Sequence, residues 1–252
     1  MSAIQVGGIA TSRAESVQTY ARIAGVLFVL SFVGGGFGEA YVPSQIIVSG
    51  NAAATAHNVI VSTQLFRVGF VAYMIEAFTD VALAFFLYVL LRPVHANLAF
   101  LAVLFRIMAT ATFAFGEVFY FAPLLILGGD AYLKTFSPEQ LNSLALLSFN
   151  VYGFAGGFSQ VFYGIASIVL GYLILRSGYL PWVLGALWML GGLSFIASTL
   201  AQVLAPAFAS SILLLPQVLA SLLLGFWLLI RGVNVAKWKE HGAAVAYGSV
   251  PS

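Results

Sequence analysis

Five ionisable residues stand inside long apolar stretches of this sequence: Arg67, Glu76, Asp80, Arg106 and Glu117. A charge is costly in hydrocarbon, so such groups face protein or a water-filled cavity, and they mark pathways or internal ion pairs. All five lie on two consecutive segments that read as one antiparallel helical hairpin turning near Val94. Equal steps on either side of that turn put Asp80 level with Arg106, and Arg67 level with Glu117. At about 100° per residue, Arg106 and Glu117 share a stripe with Thr110 and Tyr120, while Glu76 and Asp80 share a face one turn apart.

The chemistry this pattern predicts is a Glu76–Asp80–Arg106 cluster that handles a substrate or a proton. Two carboxyl groups beside one guanidinium should titrate as a coupled set. The competing reading makes the charges structural pairs, since buried ions need partners whatever the function. Arg67 points about 180° away from Glu76, so pairing with Glu117 requires a long reach or a third helix, and the side chain can equally well extend to lipid headgroups.

Neutral polar groups occur on the later apolar segments. Asn150, Tyr152, Gln160, Tyr163, Gln202 and Gln217 are candidates to line a cavity opposite the charged hairpin, with Ser159, Ser194, Ser198 and Ser221 on the same segments. Their other role would be hydrogen bonding between helices, because the membrane interior offers polar groups no water.

Much chemistry is excluded. The absence of cysteine removes disulfides, thiolate metal sites, iron–sulfur clusters and a cysteine nucleophile. His57, His95 and His241 all lie outside the apolar stretches, so a metal or haem site lacks ligands, and neither metal nor cofactor is expected. No lysine falls within a span, which argues against a retinal-type Schiff base. Gly34-Gly35-Gly36-Phe37-Gly38 lacks the lysine and the preceding strand of a phosphate loop. Close packing or unwinding at the end of a helix suits it better, and Gly153-xxx-Gly157 suggests a close helix contact. No nucleophile, base and orienting group can be assembled, so the reading leans away from an enzyme.

The elements that must hold these residues follow from composition. Of 252 residues, 62% are hydrophobic and only 7% charged, with a mean hydropathy of +1.03. Soluble domains carry about 25% charged residues, so water is not the main solvent here. A helical crossing needs about 20 apolar residues, and six such stretches fit: about 20–38, 65–91, 97–127, 142–175, 182–204 and 208–230. The fold class is therefore all-α, a polytopic bundle of six transmembrane helices spanning 20–232, between a polar N-terminal tail (1–19) and a polar C-terminal tail (233–252).

Local signals refine this outline. The segment 39–63 reads as a loop with turns at Pro43 and Ser49–Asn51, followed by a mildly amphipathic surface piece. Pro123 and Pro216 are expected bend sites. Ser137-Pro138-Glu139-Gln140 has the chemistry of a helix start, with a serine cap, a proline at the first position and a glutamine that can reach back. The segment Ile23 to Gly38 reads as an anchor rather than a cleaved signal, because its leader contains Glu15 and no A-x-A-like site follows.

Arg13, Arg22, Arg92, Arg176, Arg231, Lys237 and Lys239 fall on one side of a six-span chain, and only Lys134 falls in the opposite loops. Both termini are therefore expected in the cytoplasm. That distribution makes topology, rather than nucleic-acid binding, the meaning of the +2 net charge. The expected partners are the bilayer itself, a small-molecule or lipid ligand, and a second copy of the chain. LYVLLRPVHANLAFLAVL from Leu87 and GYLILRSGYLPWVLGALW from Gly171 both read as helix, arginine turn and returning helix, the pattern of a duplicated hairpin.

The stretches YARIAGVLFVLSFVGGGFGEAYVPS, LFRVGFVAYMIEAFTDVALAFFLYVLLRPV and YGIASIVLGYLILRSGYLP resemble the bacterial membrane family known as domain of unknown function 4386. The resemblance runs from about Tyr20 to Trp238 and implies a compact multi-span protein of the bacterial cytoplasmic membrane, without implying an activity. Three functions remain open from the sequence: a small transporter-like or ligand-binding protein, an intramembrane enzyme acting on a lipid or isoprenoid, and a non-catalytic assembly or sensor partner.

Overall fold

A computed structural model describes the backbone of residues 3–246 and the side chains of residues 16–243. The described residues form helices and no strand. In order these are α1 (Ala3–Gly35), a π-helical stretch (Gly36–Tyr41), α2 (Val42–Ile46), α3 (Ala52–Val61), α4 (Thr63–Leu91), α5 (Ala96–Ile126), α6 (Pro138–Ser177), α7 (Trp182–Leu204), α8 (Leu215–Ile230) and α9 (Val235–Ala246). Short 3-10 turns precede α6 and α8. Six segments are long and apolar enough to cross a membrane: Ser16–Ile46, Thr63–Leu91, Ala96–Ile126, Pro138–Ser177, Trp182–Leu204 and Ser211–Ile230. Large apolar side chains remain exposed along them, with Phe78 68%, Phe115 66% and Ile230 70% accessible, as expected where acyl chains are the solvent.

Several expected boundaries move, for physical reasons. The first span does not end at 38; it continues through the π stretch and α2 to Ile46. Pro43 has no N–H to donate, and its ring would crowd the carbonyl four residues earlier in a regular helix. The ladder relaxes there, and Val42 donates to Phe37 five residues back. Pro216 sits at the second position of α8, where a missing N–H costs nothing, so it starts that helix instead of kinking it. Pro123 lies inside α5, near its end. Neither polar tail is plain coil in the described residues: α1 already begins at Ala3, and α9 occupies much of the C-terminal tail. The surface piece after Asn51 is α3, whose Thr55, Ala56 and Val59 are buried.

The helix start before α6 forms a reciprocal box. Gln140 donates its backbone N–H to Ser137 Oγ at 3.3 Å, and the Ser137 N–H donates to Gln140 Oε1 at 2.8 Å.

By internal packing the chain forms two compact units. The first comprises 1–29, 80–108 and 160–252; the second comprises 30–79 and 109–159. The core of the first gathers Phe28, Leu87, Leu90, Leu173, Trp188 and Leu224. Around it, polar side chains satisfy helix-end backbone groups. Tyr179 Oη and Trp238 Nε1 both donate to the Leu90 carbonyl, at 2.7 and 3.0 Å. Burial keeps the Tyr179 phenol well above its ordinary pKa, so it stays a donor. Gln18 bonds the turn after α8 twice, donating to the Arg231 carbonyl at 2.9 Å and accepting from Val233 N–H at 3.2 Å. Its amide fills the space where a Cβ at residue 232 would stand, and Gly232 has φ +69°, so both crowding and backbone geometry call for glycine.

Glycines also set helix spacing in the first unit. A Cβ on Gly171 would stand 2.6 Å from the Gly185 carbonyl, and one on Gly185 equally close to the Gly171 carbonyl. Gly164 and Gly192 repeat that contact one step along, so α6 and α7 meet backbone to backbone. Gly153, by contrast, faces open space, whereas Gly157 of the same pair is buried.

The core of the second unit is aromatic, built from Phe66, Tyr73, Tyr120 and Phe149 together with Val42 and Ile46.

Candidate functional site

Each unit carries its own polar cluster. In the first unit Arg106, 2% exposed, donates from Nη2 to Asp80 Oδ1 in a close ion pair. The guanidinium carbon lies 4.7 Å from the Tyr163 ring centroid and 5.9 Å from that of Phe28. Arg106 also donates to the Tyr163 hydroxyl, which is hydrogen-bonded to Ser221 as well. Ser221 Oγ accepts from Gln217 Nε2 at 3.1 Å, completing a network that links α4, α5, α6 and α8. Gln217 is itself 2% exposed and lies against Gly191.

A guanidinium that reaches a carboxylate while lying near two aromatic rings makes contacts that a lysine could not reproduce. A buried pair of this kind fixes helix register more than it adds stability.

The second unit has a different chemistry. The π stretch carries Glu39, which lies in electrostatic reach of Glu76 on α4. Glu39 is exposed along its own helix, while Glu76 is half-buried against Gly35. A Cβ on Gly35 would come within 2.8 and 2.9 Å of the two Glu76 oxygens, so the glycine makes room for that carboxyl group. On α5, Glu117 is 4% exposed and lies in electrostatic reach of Glu39. Tyr73, Tyr120 and Tyr152 complete the cluster, with ring centroids 4.9 to 5.9 Å apart and a close hydroxyl–hydroxyl bond between Tyr73 and Tyr152. Glu117 Oε1 and the Tyr120 hydroxyl are buried and have no hydrogen-bond partner among the described residues.

Asp80 and Arg106 come together, and Glu76, one turn before Asp80 on the same helix, lies against Gly35 and in electrostatic reach of Glu39. Arg67 is exposed and forms no ion pair with Glu117 among the described residues. Thr110 is buried in the second unit. Of the cavity candidates, Tyr152 belongs to the cluster of the second unit, Tyr163 and Gln217 belong to that of the first, Gln160 and Gln202 are partly buried in the first unit, and Asn150 is exposed.

Glu39 escaped the sequence reading because Pro43 looked like the end of the span. The available signal was Glu39 itself, an acid only one residue beyond an apolar, glycine-rich helix end. No group of three or more histidine, cysteine or acidic side chains with metal-holding geometry occurs among the described residues.

An uncharacterized protein of Archaeoglobus fulgidus is 29% identical over 158 residues, covering 63% of this chain and 80% of its own length. No solved structure matches the chain. Residues 23–232, which include both clusters, match the family described as Domain of unknown function (DUF4386), and the chain belongs to that family.

Proposed function

We propose that the chain is a small ligand-binding, transporter-like protein of the bacterial cytoplasmic membrane, with its arginine-bearing turns in the cytoplasm and its binding centre at the glutamate–tyrosine cluster of the second unit. The observation that carries this reading is the pair of buried atoms, Glu117 Oε1 and Tyr120 Oη, without hydrogen-bond partners among the described residues. Buried polar atoms are nearly always satisfied, and hydrocarbon supplies no water to do it. A carboxylate oxygen asks for a donor, and the tyrosine faces around it suit a cation. The ligand class that fits is a small molecule bearing a protonated amine.

The Asp80–Arg106 pair supports the structural alternative for its own charges, because each charge has the other as its partner.

Native mass spectrometry of wild type and Glu117→Gln, released from the same membranes, tests the proposal. Wild type should carry a small basic adduct whose occupancy falls about 10- to 100-fold in the variant, the loss expected for one hydrogen bond to a charged group. Equal adducts on both proteins would contradict the proposal. So would a wild type that carries none and shows no thermal shift with primary to quaternary ammonium ions.

A further inference from the structure

The carbonyl of Leu90, at the end of α4, takes two hydrogen bonds, from Tyr179 Oη at 2.7 Å and from Trp238 Nε1 at 3.0 Å. The Tyr179 carbonyl in turn accepts from the Asn234 N–H at 3.1 Å, and Asn234 Oδ1 caps α9 by accepting from the Lys237 N–H at 3.2 Å. These bonds tie the turns after α4, α6 and α8, together with α9, into one knot within the first unit. The knot carries charge of one sign. Arg92 stands two residues from Leu90, Arg176 three from Tyr179, Arg231 three from Asn234, and Lys237 beside Trp238. All four are exposed and form no ion pair among the described residues. Of the acidic residues described in this unit, Asp80 is paired with Arg106, and only Glu240 lies near the knot.

The corresponding spans end at Leu91, Ser177 and Ile230, so each basic residue stands at or just beyond the end of a span. Their exposure therefore faces headgroups and water, where phosphate is the natural partner of a guanidinium. Tryptophan gives an independent marker of the same level. Trp182 opens α7 and is 67% exposed; Trp227 is 37% exposed, and its carbonyl accepts from the Arg231 N–H at 2.8 Å. With Trp238, three of the four tryptophans lie beside the basic turns, whereas Trp188 is fully buried. Indole rings gather at the headgroup boundary, so aromatic and basic residues mark one plane.

We infer that this end of the first unit is a docking surface for anionic phospholipid, whose headgroup phosphate pairs with Arg92, Arg176, Arg231 and Lys237. A zwitterionic headgroup brings its own ammonium and cancels much of that attraction; a headgroup of net negative charge does not. Because hydrogen bonds already tie the turns together, the charges are in place before a lipid arrives, and binding orders no loose tail. The surface goes beyond the ligand proposal and does not depend on it, since the amine centre belongs to the second unit.

Tryptophan quenching by brominated lipids in bilayers containing the full chain tests the inference, because the exposed indoles lie beside the basic turns. At low salt, brominated phosphatidylglycerol should quench wild type at lower mole fraction than brominated phosphatidylcholine, each basic residue contributing up to about fivefold in relative affinity. Molar salt should bring the two lipids close to parity, because it screens charges beyond about 3 Å. Arg92→Gln with Lys237→Gln should lower the preference several-fold, while Lys134→Gln, in a loop of the second unit, should leave it unchanged. The substituted side chains are exposed, so neither change empties packed space. Equal quenching of wild type by both lipids, or a preference that the double substitution leaves intact, overturns the inference.

Discussion

Arg106→Ala is expected to lose about 3–5 kcal/mol of stability, the cost of leaving one partner of a buried ion pair uncompensated. Arg106 is 2% exposed, its carboxylate partner is Asp80, and its guanidinium lies near the Tyr163 and Phe28 rings. The substitution removes the charge, the bond to the Tyr163 hydroxyl and the packing of a long side chain together. Arg106→Lys should fall well short of rescue, because an ammonium cannot present a planar face to a ring while reaching a carboxylate. Asp80→Asn with Arg106→Met should be milder than either single change, since it removes both charges and keeps volume. Thermal unfolding in one detergent, followed by tryptophan fluorescence, measures each of these variants against wild type. A Tm for Arg106→Ala within a degree or two of wild type would show that the pair does not hold these helices.

The second large effect concerns glycines of a single helix. In a helix interior, glycine to alanine ordinarily stabilises by about 1 kcal/mol through backbone entropy. Gly153 and Gly156 of α6 face open space, so alanine there should give part of that gain. At Gly171 the same change puts a methyl group 2.6 Å from the Gly185 carbonyl and 2.8 Å from the Met189 nitrogen. Backbone atoms cannot step aside, and overpacking costs about 1–3 kcal/mol for a change of this size. Gly171→Ala should therefore destabilise and Gly171→Val more so, while Gly153→Ala raises the Tm. Equal signs at the two positions would refute the backbone contact between α6 and α7.

How much of this was legible in the sequence depends on the range of the interaction. The Asp80–Arg106 pair could be read because both residues lie near one turn, where helix geometry alone fixes depth. The Ser137–Gln140 box was legible for the same reason, being entirely local. For Glu76 such counting gives only the Asp80 face of α4; its neighbour Glu39 comes from the π stretch of the first span, which runs on past Pro43 to Ile46.

That extension depends on a π stretch, which has no sequence signature beyond the proline it accommodates. The choice among glycine pairs has a related origin. Small residues spaced by four permit an approach, but which of several such sets is used is settled by the partner helix, here Gly185 and Gly192 on α7. Gly153 satisfies the pattern and meets nothing. The interior of the second unit was partly visible as Tyr120 and Tyr152, yet the residue that turns it into an acidic centre, Glu39, appeared to belong to a loop.

Everything proposed here requires that the segments carrying Glu39, Glu76 and Glu117 cross the membrane, with the turns between spans alternating in side. The chain contains no cysteine, so single cysteines can be introduced into a silent background. At the exposed positions Ser49, Ala131 and Ala209, an impermeant maleimide should label intact cells; at Ala96, Arg176 and Ala236, it should label only after the membrane is opened. Labelling of both sets from outside, or a break in the alternation, would contradict six crossings and remove the acidic centre from the hydrocarbon.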